Sequence, residues 1–265
     1  MLTDNIQQFA AMASMARLYG REAPMKLASA HVVILGLGGV GSWAAEALAR
    51  CGVGQLTLVD PDDVCISNIG RQIHTLQSTI GQSKVKAMTN RLLDINPSIK
   101  INAIQEFFDL ESSVKILTEH GDVNFVFDAI DRLKNKLVVI DYCRNHHIPF
   151  LISGAAGGKD NPWDVKIADL ANTSYDPLLL RLRKRLRRHS LAPRGKKAMG
   201  INCIFSTAPM IYTNKAGEIC SVKESGSIPK LDCHQGLGVA GHVTGTFGLF
   251  AAAFAVKTII NTNRS

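Results

Sequence analysis

About the first 155 residues predict a Rossmann-like, doubly wound α/β fold with a mostly parallel sheet, and three observations carry the prediction. A short β-branched run, His31 to Leu35 (HVVIL), opens into GLGGVG and then into SWAAEALARCG, whose Ala, Leu and Glu content and closing glycine mark a helix. A second strand, Gln55 to Asp60 (QLTLVD), arrives after the interval a βαβ unit needs, and its terminal acid sits where a strand's carboxyl end meets a ligand crevice. Strand-like and helix-like segments then keep alternating, as one continuous parallel sheet requires.

The other elements come in chain order. A helix from about Ser83 to Ile95 is stopped by Asn96-Pro97, because a proline disfavours helical backbone in the residue before it. A third strand is expected near Lys100 to Gln105 and a fourth at Val123 to Ala129 (VNFVFDA), a strand apolar enough to be covered on both faces and ending in acid. A helix at Lys134 to His147 and a strand at Pro149 to Ser153 complete this half. After Gly158 the pattern loosens into a C-terminal extension of short strands and helices: a strand at Trp163 to Ala168, a basic segment at Arg181 to Lys197, and short strands around Asn202 to Tyr212. The expectation is a single domain, with a nucleotide-binding half at about 28–158 and a substrate and dimer half at about 159–265.

Of the 265 residues, 46% are hydrophobic and 20% are charged, enough apolar material to bury a sizeable core. The net charge of +8 favours a polyanionic partner, although charge speaks to association and not to chemistry. Six cysteines are too sparse for a disulfide scaffold and form no Cys-x-x-Cys pair, so a reducing compartment and no zinc are expected. With no basic stretch ahead of an apolar run at the N-terminus, the expected location is cytoplasmic. The apolar segment Gly236 to Ile260 passes for a membrane span by hydropathy. It is glycine-rich, carries His242 and Lys257, and spaces Phe247, Phe250 and Phe254 as a buried helix packing on the domain or on a dimer partner would.

Gly36, Gly38 and Gly41 form G-x-G-x-x-G between strand and helix, where backbone N–H groups and a helix N-terminus approach phosphate closely. Asp60 stands where a ribose hydroxyl would be bound. A nicotinamide dehydrogenase would share these features, but the residues downstream of Asp60 argue against one. Asn68, Arg71 and Lys84 supply an amide, a guanidinium and an ammonium just beyond the ribose position, and hydride transfer has no need of them. Attack of a carboxylate on an α-phosphate does, because negative charge builds on oxygens in its transition state.

These residues carry a family resemblance. The run VVILGLGGVGSWAAEALARCGVGQLTLVDPDDVCISNIGRQIH, then GQSKV, INP and DAID, resembles the ubiquitin-activating-enzyme superfamily, with its ThiF/MoeB-type enzymes that adenylate sulfur-carrier proteins. The resemblance implies ATP and Mg²⁺ as cofactors, with Gly39 joining Gly36, Gly38 and Gly41 in the nucleotide loop. It implies that Asp60 binds ribose, that Asn68 and Arg71 contact phosphates, and that Lys84 reaches the α-phosphate region. It also implies that Asp131 holds Mg²⁺, and that Arg17 crosses a homodimer to the partner's ATP. Arg71, Lys84, Asp131 and Arg17 are thus the candidate catalytic residues. One departure is Arg132, where the sulfur-carrier activators have asparagine.

Over nearly the whole chain ARLYG, DDVCISN, SGAAGG, DPLLLRLRKRL, CIFST, LDC and TGTFG look like the tRNA threonylcarbamoyladenosine dehydratase family. That resemblance implies ATP-dependent ring closure of threonylcarbamoyladenosine beside the anticodon, through activation of the threonyl carboxylate. A monovalent cation is a candidate further ligand. The basic segment fits a tRNA partner: Arg181, Arg183, Lys184, Arg185, Arg187 and Arg188 concentrate charge, while Leu178, Leu182 and Leu186 give the same stretch an inward face. Cys233, beside His234, matches a cysteine that accepts persulfide sulfur in related proteins, which keeps open a role as partner of a cysteine desulfurase. Adenylation of a sulfur carrier is the other alternative.

Overall fold

The computed structural model describes residues 13–195, 197–214, 216–221 and 237–262. Residues 13–19 are helical and lead into a short helix α1 (Ala23–Ala28). The core is a seven-stranded sheet in the order β3-β2-β1-β4-β5-β7-β6. Its strands are β1 (His31–Leu35), β2 (Gln55–Val59), β3 (Lys100–Ile104), β4 (Phe125–Asp128), β5 (Phe150–Ser153), β6 (Val165–Asp169) and β7 (Asn202–Ser206). All pair in parallel except β6, which runs antiparallel to β7 at the edge. Because β7 pairs with β5, the second half of the chain extends the first half's sheet. A two-stranded ribbon, β8 (Tyr212–Thr213) with β9 (Ile219–Cys220), stands apart.

Alternate residues of each central strand feed two apolar layers, because successive strand side chains point to opposite faces. On one face Val32, Ile34, Leu56, Leu58, Phe125 and Phe127 meet α2 (Gly41–Arg50), α3 (Lys84–Ile95) and the long helix α7 (Gly241–Asn261). On the other, Val33, Leu35, Val126 and Ile152 meet α4 (Ser113–Thr118), α5 (Leu133–Asn145) and α6 (Pro177–Arg188). Helices on both faces of a parallel sheet give the expected doubly wound layers. The strands lie within a residue or two of their predicted positions. The helices α1 and α4 and the β8-β9 ribbon were not anticipated.

Helix α7 is long and apolar enough to cross a membrane by length and composition, yet 56% of its most apolar window is buried inside the fold. Phe247 is fully buried and Phe254 packs against Phe125, with ring centroids 6.1 Å apart. Phe250 is 44% exposed in the single chain, on the helix face turned away from α2 and the sheet.

Candidate functional site

The crevice lies at the carboxyl ends of β1, β2 and β4. Gly36 takes φ +91°, a left-handed value that glycine adopts without steric cost, and this turns the chain sharply off β1. Its N–H bonds to the Val59 carbonyl at 2.8 Å, and the Ala129 N–H bonds to that of Leu35 at 2.8 Å, so the loop is stitched to β2 and β4. A Cβ at Gly41 would lie 1.8 Å from the Gly36 carbonyl oxygen, so this glycine is required by close packing. One at Gly39 would press on the Thr244 side chain at 2.9 Å, whereas one at Gly38 would meet no atom within 4 Å. The loop is thus closed on its inner side and open at Gly38.

Asp60 is buried, and its carboxylate accepts the Leu37 N–H of the glycine loop at 2.6 Å and the Asp62 N–H at 3.0 Å. The ammonium of Lys84 lies 3.4 Å from Asp60 and 2.7 Å from Asp62. Lys84 opens α3, whose N-cap Ser83 accepts the Lys86 N–H, and an Asp63–Ser83 bridge ties this end to the segment after β2. The structure thereby brings the glycine loop, Asp60 and Lys84 together.

Asn68 and Arg71 sit on the crossing loop between them. The Asn68 side-chain oxygen accepts the Cys65 N–H at 3.2 Å, and its carbonyl accepts the N–H groups of Arg71 and Gln72, so Asn68 shapes the turn that presents Arg71. Arg71 is pinned by its carbonyl, which accepts the Trp43 indole N–H and the Thr244 hydroxyl, and its guanidinium donates to the Ser67 carbonyl at 2.7 Å. Asp131 is exposed just past β4, two residues beyond the Ala129 that contacts Gly36 and Gly41. Arg17 is exposed on the helical segment 13–19, and among the described residues no hydrogen bond or ion pair ties it to the glycine loop.

Three features of this region were not singled out from sequence. Asp128 and Lys136 form a fully buried ion pair at 3.1 Å beneath the Asp131 loop. Burial holds the Asp128 carboxyl above its usual range, and the Lys136 charge pulls the other way. His74 is buried with neither ring nitrogen bonded among the described residues, and desolvation, then the Lys84 and Arg91 charges, push it down to about 4. A neutral imidazole therefore stands near Lys84 at physiological pH. Glu46 of α2 is buried and binds Arg50 and Arg91, each at 2.7 Å, which locks α2 to α3. For Asp128, Lys136 and Glu46 the sequence signal was polar residues on otherwise apolar element faces, whereas His74 lies in a turn with no such pattern.

A glycine loop closed on one side, a lysine between two carboxylates and an anchored arginine turn stand together at the carboxyl ends of the strands, and the ThiF family model matches residues 11–265 of this chain. The chain belongs to the ThiF family. Within it, the chain groups with the tRNA threonylcarbamoyladenosine dehydratases: it is 40% identical to that of Escherichia coli, over 92% of this chain and 91% of the relative. It is 38% identical to that of Haemophilus influenzae, over 97% and 95%. The solved Escherichia coli dehydratase in complex with ATP superposes with a TM-score of 0.82 at 36% identity, covering 95% of this chain and 94% of that one.

In this ThiF-family chain the first part of the basic segment, Arg181 to Arg188, lies on α6, capped by Asp176, whose side chain accepts the Leu179 N–H at 2.9 Å. The other Asp176 oxygen accepts the Ala155 N–H at 2.8 Å, so α6 starts at the carboxyl edge of β5. Leu178, Leu179, Leu182 and Leu186 are buried, as the four-residue spacing predicts. The six cations divide. Arg183 donates to the carbonyls of Leu170 and Thr173 at 3.0 Å each, and Arg187 donates to those of Pro193 and Gly195. Arg181, Lys184, Arg185 and Arg188 are exposed. Cys233 lies outside the described residues.

Proposed function

We propose that this chain, an ATP-dependent enzyme of the tRNA threonylcarbamoyladenosine dehydratase group, activates the threonyl carboxylate of the modified adenosine as an acyl-adenylate and closes the ring within the same nucleoside. The observation that carries the reading is the link of the glycine loop to Lys84 through Asp60, whose carboxylate accepts the Leu37 N–H at 2.6 Å and lies 3.4 Å from an ammonium that is itself 2.7 Å from Asp62. The carboxylate oxygen attacks the α-phosphorus of ATP and pyrophosphate leaves. The carbamoyl group of the same nucleoside then attacks the activated carbonyl, gives up a proton to solvent, and expels AMP, which carries away the oxygen counted as lost water. The nucleophile belongs to the same molecule and acts at high effective concentration, so the protein's task is placement and charge.

In this reading Lys84 and Arg71 neutralise charge growing on the phosphate oxygens, and the N–H groups from Gly36 to Gly41 cradle the phosphates. Asp60, engaged by the Leu37 N–H and Lys84, sets the loop's position and is the ribose-binding carboxylate in this reading. Asp128 is committed to Lys136 and the Ile130 N–H, which leaves Asp131 as the available carboxylate there. One carboxylate plus nucleotide phosphates is a donor set that suits Mg²⁺, which would offset phosphate charge when bound. Arg17 serves the partner's ATP in a homodimer, and the open cations of α6 take tRNA phosphates. The substrate half is then residues 159–265, continuous with the nucleotide half through one sheet.

The test is direct. Protein, ATP, Mg²⁺ and tRNA carrying the linear modification should yield nucleosides lighter by one water on mass spectrometry, with AMP and pyrophosphate released. Arg71→Ala and Lys84→Ala should each abolish the mass loss while circular dichroism stays that of the wild type. Folded wild-type protein that leaves the mass unchanged refutes the reading.

A further inference from the structure

Two aromatic side chains stand in solvent at the carboxyl edge of the sheet: Trp163 is 82% exposed and Tyr175 is 61% exposed. Tryptophan is among the more buried residue types on average, so a ring this open carries a hydration cost that packing does not offset. Tyr175 is also held at φ +51°, a left-handed backbone that is uncommon outside glycine and asparagine. Neither ring has a part in the adenylation chemistry.

Both rings are built onto one rigid cluster. Lys159 is 4% exposed, and its ammonium donates to the Tyr175 carbonyl at 3.0 Å and to the Ala208 carbonyl. The residue before Ala208, Thr207, donates through its N–H (2.9 Å) and its hydroxyl (3.2 Å) to the carbonyl of Asp164, which ends the turn carrying Trp163. Asn161 closes that turn from the other side, accepting the Trp163 N–H and donating to the Asp164 carboxylate at 2.6 Å. The carboxylates of Asp164 and Asp176 both act on the Lys159 charge. The Tyr175 carbonyl therefore sits on the buried ammonium itself, and the turn carrying Trp163 is tied to the same cluster through Asp164, Thr207 and Ala208.

Tyr175 immediately precedes Asp176, the N-cap of α6, so the aromatic edge runs directly into the helix whose Arg181, Lys184, Arg185 and Arg188 face solvent. Rigid aromatic faces beside a row of open cations suit one ligand chemistry: unpaired nucleobases joined by a phosphate backbone. We propose that Trp163 and Tyr175 are stacking platforms for unpaired bases of the RNA whose phosphates lie along α6. This rests on the tRNA reading of the proposed function and adds to it the residues that hold the bases of a single-stranded loop.

The experiment uses the full chain and an anticodon stem-loop RNA carrying the linear modification. Trp163→Ala and Tyr175→Asn remove one ring each, and asparagine tolerates the left-handed backbone. Each should weaken RNA binding, measured by fluorescence anisotropy, roughly 5- to 100-fold. ATP affinity and the salt dependence of RNA binding should stay as in the wild type, because stacking neutralises no phosphate. Trp163→Phe should keep the affinity and lose most of the RNA-induced quenching of tryptophan emission. If the wild type binds and dehydrates the RNA while both ring deletions bind it equally well, the platforms are refuted and the tRNA reading stands. Ring deletions that leave RNA binding intact but abolish self-association would make this edge a protein contact, which also refutes the proposal. A wild type that neither binds nor dehydrates the RNA overturns the tRNA reading first, and the platforms with it.

Discussion

The buried Asp128–Lys136 pair makes the sharpest energetic prediction. Lys136→Met fills similar volume but leaves the Asp128 carboxylate, 0% exposed, with the Ile130 N–H as its remaining donor. Breaking a buried pair by removing one partner costs about 3–5 kcal/mol, against a total domain stability of about 5–15 kcal/mol. The urea midpoint of Lys136→Met should therefore drop by roughly a fifth or more. Asp128→Asn with Lys136→Met removes both charges and still offers a side-chain oxygen to the Ile130 N–H, so it should recover most of the loss. The pH dependence has a definite sign. Burial already holds the Asp128 carboxyl above its ordinary value, and loss of the Lys136 charge raises it further. A carboxyl whose folded pKa exceeds its unfolded one contributes stability that is full below the unfolded pKa and lost as pH rises through the folded pKa. The gap between wild type and Lys136→Met should thus shrink as pH falls. Urea unfolding followed by circular dichroism at several pH values decides it. A single variant within about 1 kcal/mol of wild type, or a gap that ignores pH, refutes the reasoning.

Other expectations concern the loop and the helix. Gly41→Ala should fold poorly, because its Cβ would sit 1.8 Å from the Gly36 oxygen, while Gly38→Ala should keep a wild-type unfolding midpoint and lose ATP binding in calorimetry. Replacing Lys184, Arg185 and Arg188 by Ala should lower the slope of log affinity for tRNA against log salt by about 0.7–0.9 per side chain. Arg183→Ala should instead lower the melting temperature, since that guanidinium bonds the carbonyls of Leu170 and Thr173. Cys233→Ala should retain ring closure by mass spectrometry, because no thiol takes part in the scheme; loss of ring closure in that variant alone would put a sulfur step into it.

The sheet was legible because its signals are local. HVVIL and QLTLV are β-branched runs bounded by glycine or acid, and they match β1 and β2 residue for residue up to the terminal Asp60. Short helices such as Ala23–Ala28 and Ser113–Thr118 escaped notice because six residues span too few turns to show a period. At the site, Asp60, Asn68, Arg71 and Lys84 could be picked out in order along the chain. That Lys136 is an interior charge could not, because its burial depends on where β4 ends and how α5 docks. The division of α6 between carbonyl-bound and open arginines was hidden for the same reason. The partners of Arg183 and Arg187 are backbone oxygens from other turns, which composition does not reveal.

Helix α7 touches the nucleotide loop from behind: the Thr244 side chain backs Gly39 and donates to the Arg71 carbonyl, and Gly248 lies against Val40 and Trp43. The loop leaves the ribosome some two hundred residues before this backing does. A nascent chain can complete β1 to β5 and still lack the wall that presses Gly39 and Arg71 into place. On the function proposed above, ATP capture would wait until this last long helix has docked, and synthesis that halts before it would leave the sheet without that wall.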